Sequence, residues 1–182
     1  GQELHQWIFG TRFFQSMIGQ EGGSEGIDHA YAVRAMSGFG AFILGRNMFS
    51  PSRGPWTDDG WRGWWGDDPP YHAPTFVLTH YPRPPMEMAG GTTFIFVTEG
   101  IESALEQARA AAGDLDVKIG GGVETVRQYL SAGLVDELHF ALSPVVLGRG
   151  EAMFAGLDLP ALGFRVVEHQ ATDHAAHIVL AR

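Results

Sequence analysis

The chain contains no cysteine among its 182 residues. Disulfides, thiolate metal sites and cysteine nucleophiles are thereby excluded, and the lack of disulfides fits a cytoplasmic protein. Basic residues are scarce: 12 Lys and Arg stand against 21 Asp and Glu, a formal net charge of −9. No basic cluster forms along the chain, so the electrostatic footprint of a nucleic-acid binder is missing. No apolar run approaches bilayer-spanning length, so no membrane partner is expected, and no cleavable signal segment shows at the start. What remains is an ordinary globular balance, 45% hydrophobic and 18% charged, at a length that suits one domain over residues 1–182. The chain opens at Gly1 without methionine, on a segment with Leu4, Trp7 and Ile8 at helical spacing. The front of the natural protein is therefore expected to be missing or processed away.

The stretch that organises the rest is Lys118 to Leu130. An apolar run, Leu115 to Ile119, ends in Gly120-Gly121-Gly122. An amphipathic run follows at once, with Val123, Val126, Leu130 and Leu134 on one helical face. Strand, glycine turn, helix is the implied order. Three residues without Cβ let a ligand approach the backbone, and the first-turn N–H groups of the helix would face an anion. The dinucleotide fingerprint G-x-G-x-x-G is absent, since Thr125 stands three after Gly122, and no P-loop ending occurs. The turn reads equally as a phosphate holder and as a point where strand and helix pack closely.

Along the chain, residues 19–26 read as a Gly-, Glu- and Ser-rich loop. Asp28 is the expected N-cap of a helix to about Met36, stopped by Ser37-Gly38. Ala41 to Leu44 is a buried strand, followed by Gly45-Arg46-Asn47 and a short helical turn to Phe49. Residues 51–74 form a long loop holding Trp56, Trp61, Trp64 and Trp65 with Asp58, Asp59, Asp67 and Asp68. So many aromatics imply order, either as a lid on the core or as a substrate wall. Thr75–Thr79 and Thr93–Val97 are strands, with a connector between them at 86–92. A helix begins after Gly100 and ends at Gly113. Alternation marks a strand at 137–142, and a C-terminal hairpin turns at Thr172-Asp173. Strands alternating with helices predict an α/β fold with a mostly parallel sheet plus the antiparallel hairpin.

Ligands of open α/β sheets sit beyond the carboxyl ends of the strands. Here those ends carry Gly45-Arg46, Thr79-His80 with Arg83 nearby, and the three glycines. Arg46 offers a planar fork for phosphate. Singly, each has a plainer reading: Arg46 as a surface ion-pair partner, His80 as an exposed loop residue, Thr79 as a strand-end hydroxyl bonded to backbone. Their coincidence on one edge points to an anionic cofactor.

Gly45-Arg46-Asn47-Met48-Phe49 after a buried strand resembles the glycine-arginine turn of dihydrofolate reductases, and Gly120 to Gly122 resembles their glycine pair before a helix. Leu134 to Leu138, then Ser143 to Gly150 and Met153-Phe154, resemble the RibD C-terminal reductase domain and its stand-alone bacterial relatives. The resemblance implies a dihydrofolate-reductase-like three-layer α/β/α fold and hydride transfer from NADPH to a pteridine- or pyrimidine-like small molecule. It further implies that Gly45, Arg46 and Asn47 meet the cofactor's phosphates, and that Thr79, His80 and Arg83 lie by the adenosine ribose and its 2′-phosphate. Gly120, Gly121, Gly122, Val123, Glu124 and Thr125 would wrap the pyrophosphate. Trp56, Trp61 and Leu147 become candidate substrate contacts, and a homodimer is expected.

Two departures stand out. The family's first strand, with its Ser-Leu-Asp-Gly-like turn, has no counterpart here. The carboxylate that true dihydrofolate reductases place on the first helix finds its nearest positional match in Glu3, the candidate catalytic acid. An alternative of another class is a non-catalytic ligand-binding or structural homodimer that keeps the fold. A metal hydrolase is a weaker idea: His169, His174 and His177 fall on the hairpin, no H-x-x-x-H helix occurs, and no metal is expected.

Overall fold

The structure, a computed structural model, describes residues 2–57 and 60–182. Asp58 and Asp59 of the tryptophan-rich loop, and the opening Gly1, lie outside the described residues. In chain order the elements are α1 (Gln6–Phe9), α2 (Arg12–Met17), α3 (Ile27–Arg34), β1 (Phe39–Gly45), α4 (Arg46–Phe49), β2 (Pro74–Leu78), β3 (Met86–Glu87), β4 (Thr93–Val97), α5 (Ile101–Ala112), β5 (Asp116–Ile119), α6 (Val123–Ser131), β6 (Glu137–Leu142), β7 (Arg165–Ala171) and β8 (Ala176–Ala181). They divide into two compact units, Gly38–Tyr129 on one hand and Gly1–Ser37 with Leu130–Arg182 on the other.

In the unit of residues 38–129, the sheet runs β3-β4-β2-β1-β5. β1 pairs in parallel with β2 and β5, and β2 with β4. β1 is buried from Ala41 to Gly45, the near-continuous apolar run expected of a parallel strand covered on both faces. α5 lies along β1, β2 and β5 and buries Ala104, Leu105, Ala108 and Ala112. It comes close because Gly40 lacks a side chain: a Cβ there would stand 2.6 Å from the Ala112 carbonyl oxygen. Gly113, at φ +60, ends the helix.

The tryptophan-rich loop forms neither strand nor helix among its described residues up to Ala73, Pro74 opening β2, yet it is packed. Leu44, Phe49, Val77, Met88 and Phe94 form a buried cluster against which Trp56, Trp61, Tyr71, Met86 and Phe96 pack. Phe49 makes edge contacts with Phe94 at 4.9 Å and Phe96 at 5.2 Å, geometries worth about 0.5–1.5 kcal/mol beyond burial. The Trp61 indole N–H donates to the Phe49 carbonyl at 2.7 Å. The 86–92 connector holds the two-residue strand β3, antiparallel to β4. Two residues are too few for alternation to betray a strand.

In the other unit, β6-β8-β7 form an antiparallel sheet with β8 in the middle. The C-terminal hairpin is present with its expected turn, and it extends to β6 as well. Thr11 caps α2, its hydroxyl accepting from the Phe14 N–H at 3.2 Å. α3 corrects an expectation. Gly26 is its N-cap and Asp28 lies inside the first turn, because the Asp28 carboxylate is taken by Thr172 and His177 instead of the helix's own amides. α6 stops at Ser131, so Leu134 lies beyond the helical face assigned to it.

Candidate functional site

The carboxyl ends of β1, β2 and β5 share one edge, since Gly45 stands beside Leu78 and Ile43 beside Ile119 in the parallel registers. After β1 and β5 the backbones close on each other. The Gly120 N–H donates to the Ile43 carbonyl at 2.8 Å, and the Gly45 N–H to the Gly121 carbonyl at 2.7 Å. The Gly121–Gly122 peptide is cis and Gly121 has φ +111. A Cβ at Gly45 would collide with the Thr125 hydroxyl and reach within 3.4 Å of the Gly122 nitrogen. One at Gly120 would press on the Leu44 side chain at 2.6 Å. A side chain at either strand end would thus have to displace Thr125 or Leu44 for the two to meet. α6 opens immediately, Val126 N–H donating to the Gly122 carbonyl at 3.0 Å.

Arg46, the first residue of α4, reaches along this edge. Its Nη1 donates to the Thr79 hydroxyl at 3.0 Å and its Nη2 to the Gly54 carbonyl at 3.3 Å. The guanidinium carbon Cζ lies over Trp56, 3.1 Å from the ring centroid, while Nε is buried without a hydrogen-bond partner among the described residues. Arg83 approaches the same indole at 4.9 Å and donates to the Trp61 carbonyl at 3.1 Å. Burial, and then the charge of Arg83, hold the Arg46 guanidinium below the ordinary arginine range. Two guanidiniums converging on one indole, one of them partly desolvated, make a place where a multiply charged anion is favoured.

The sequence-derived candidates separate cleanly. Gly45, Arg46, Thr79, Arg83 and Gly120–Thr125 come together. Thr79 is buried, its hydroxyl accepting from Arg46 at 3.0 Å and, as its plainer reading has it, from backbone at the Tyr81 N–H, 3.2 Å. Asn47 and His80 are exposed at this edge. Thr125 is buried and Glu124 exposed, the Glu124 carboxylate accepting from Gln128 at 3.5 Å. Trp56 and Trp61 belong to this cluster and to the aromatic core beneath it. Glu3 and Leu147 fall in the other unit. Glu3 is exposed in a single 3₁₀ turn, its carboxyl held low first by a backbone hydrogen bond, neither of which suits a proton donor. Leu147 is 41% exposed. His169, His174 and His177 do not gather: among the described residues no group of three His, Asp or Glu is placed to hold a metal. The stacking of Trp56 on Arg46 was not foreseen, and only the Trp-dense composition of the loop hinted at it.

A family model for the RibD C-terminal domain matches residues 5–178, running through both units. No curated protein matches significantly. Among solved structures, a protein of Shewanella sp. PV-4 with a riboflavin-biosynthesis assignment aligns at TM-score 0.60 and 21% identity, over 92% of this chain and 86% of its own. A diaminohydroxyphosphoribosylaminopyrimidine deaminase/5-amino-6-(5-phosphoribosylamino)uracil reductase of Thermotoga maritima aligns at 0.54 and 16%, over 86% of this chain and 49% of its own. A pyrimidine reductase-like protein of Corynebacterium diphtheriae aligns at 0.52 and 11%, over 92% and 83%. These likenesses share the dihydrofolate-reductase-like fold expected from the sequence.

Proposed function

We propose, from the premise that the chain belongs to the RibD C-terminal domain family, that it is an NADPH-dependent reductase of a pyrimidine- or pteridine-like small molecule. The observation that carries this reading is the shared edge, where a Cβ-free junction of two strands faces an arginine pair laid on Trp56. Backbone N–H groups at Gly122–Thr125 hold the pyrophosphate, as helix starts hold anions. Arg46 and Arg83, with Thr79 and His80, take the 2′-phosphate. A dianion there offsets the repulsion that Arg83 imposes on Arg46, which favours NADPH over NADH. The buried Arg46 Nε is a further donor for it. The cofactor supplies the hydride, and the chain's task is to bind and orient two rings and exclude water. The 182 residues act as one reductase domain, as a cytoplasmic homodimer.

Titration of the purified protein with NADPH and NADH by calorimetry tests the reading. Saturation by NADPH at micromolar concentration, with weaker NADH, is expected. Absence of binding by either at millimolar concentration overturns it. Binding without oxidation of NADPH, across pyrimidine and pteridine substrates, would leave the non-catalytic homodimer in its place.

A further inference from the structure

Trp56 meets Arg46 with its face and the turn after β2 with its polar edge. Its indole N–H donates to the Tyr81 carbonyl at 2.9 Å. The Tyr81 N–H donates to the Thr79 hydroxyl at 3.2 Å, and that hydroxyl accepts Nη1 of Arg46 at 3.0 Å. The guanidinium carbon of Arg46 in turn stands 3.1 Å from the indole centroid. The circuit closes: Arg46, Thr79, Tyr81, Trp56 and back to Arg46. Gly54, two residues before Trp56, accepts Nη2 at 3.3 Å, so one short stretch of loop holds the guanidinium by an edge and by a face. The indole is itself wedged edge-on against Phe96 at 5.2 Å and Phe49 at 5.9 Å. Thr79 is anchored as well, its N–H donating to the Val97 carbonyl at 3.0 Å.

Arg46 needs such a holder. Arginine has among the largest side-chain entropies to lose on being fixed. Burial strips part of the hydration of this one, and the charge of Arg83 repels it. Arg83 comes within 4.9 Å of the same ring, so one indole attends both cations. An aromatic face carries partial negative charge and attracts a cation more strongly as water is withdrawn. An aliphatic side chain in its place would leave the two guanidiniums with nothing of opposite sign beside them. A guanidinium already fixed in the folded protein does not lose its rotamer freedom again when a ligand arrives. The benefit falls on a ligand group that uses the planar fork.

We propose that Trp56 is the positioning residue that sets the preference for NADPH over NADH, acting through Arg46. This rests on the reductase reading of the site and names the residue that gives it cofactor selectivity. The 2′-phosphate meets a fork held in advance; the 2′-hydroxyl of NADH makes little use of it. Indole has a single polar group, its N–H, and that group is given to Tyr81. Trp56 therefore serves the cofactor end of the site in place of the substrate contact expected from the sequence.

Calorimetric titration of Trp56→Leu, Arg46→Ala and the double variant with NADPH and with NADH tests this. Trp56→Leu is expected to weaken NADPH roughly tenfold and NADH little. Trp56→Phe keeps a ring face without the N–H and should recover part of the loss; it takes the place of Trp56→Leu in the cycle if melting curves show the latter unfolded. Because Trp56 works through Arg46, the double variant should lose little beyond Arg46→Ala alone. In the unliganded protein the ring current of Trp56 should shift the Arg46 guanidinium protons upfield, and Trp56→Leu should return them to the position of a solvated arginine. Equal weakening of both cofactors, full additivity in the double variant, or guanidinium protons unmoved by loss of the indole would overturn the proposal, and NADPH binding by the wild type would leave the reductase reading in place. Failure of the wild type to bind either cofactor would overturn both.

Discussion

Arg46 now spends its donors on the Thr79 hydroxyl and the Gly54 carbonyl, and a phosphate must displace or join these. Charge-assisted hydrogen bonds contribute about 1.5–3 kcal/mol each. Arg46→Ala is therefore expected to weaken NADPH roughly 10- to 100-fold, with a smaller loss for NADH, in calorimetric titrations. Arg46→Lys should recover little, because an ammonium lacks the planar fork. Unchanged affinity in Arg46→Ala would remove the arginine from the site. Gly45→Ala drives a methyl into the Thr125 hydroxyl and should lower both affinity and melting temperature; Gly54→Ala meets nothing within 4 Å but forces alanine to φ +78, so it should lower the melting temperature through backbone strain. At this scale the sequence was legible where chemistry and position coincide, as in Gly45-Arg46 and the three glycines. It singled out Trp56 but not its place on Arg46, since a loop without periodicity does not say which ring lies on which charge. At Glu3 only position spoke, and the structure shows there an exposed carboxyl whose pKa is lowered.

Elements are held by the aromatic cluster and by the ion pairs of α3. Phe49 is 1% exposed at the centre of that cluster, so Phe49→Ala should cost about 3–5 kcal/mol in urea unfolding. Glu168 has a folded-state pKa below its unfolded value, because Tyr31 and Arg34 stabilise the carboxylate. A depressed carboxylate contributes stability that is present above its unfolded pKa, about 4.3, and lost as pH falls through the folded one. Glu168→Gln should thus melt lower than wild type at neutral pH, and the gap should close on acidification below about pH 4. A gap that persists there would assign the loss to packing. Strands and helices with a clear period, such as β4, α5 and the hairpin, were readable beforehand. β3 was too short to show, and the start of α3 differs from expectation because Asp28 serves a buried network with residues 144 and 149 positions away.

For the molecule as a whole, alternating strands and helices predicted the parallel sheet, and the order β3-β4-β2-β1-β5 fulfils it. The separate β6-β8-β7 sheet was not visible, because alternation within strands does not name their partners. The proposed homodimer predicts a sedimenting mass twice 19.8 kDa. Chains of net charge −9 repel one another, so added salt should favour the pair by screening; a monomer at every salt concentration would refute it.

The guanidinium resting on Trp56 has an optical corollary. An indole's emission answers to the charge leaning on its face, so any nucleotide that draws Arg46 aside must alter the colour or brightness of that one ring. The protein thereby carries a lamp wired to its own docking step, and Trp56→Phe should extinguish the signal while the remaining tryptophans glow on unaffected.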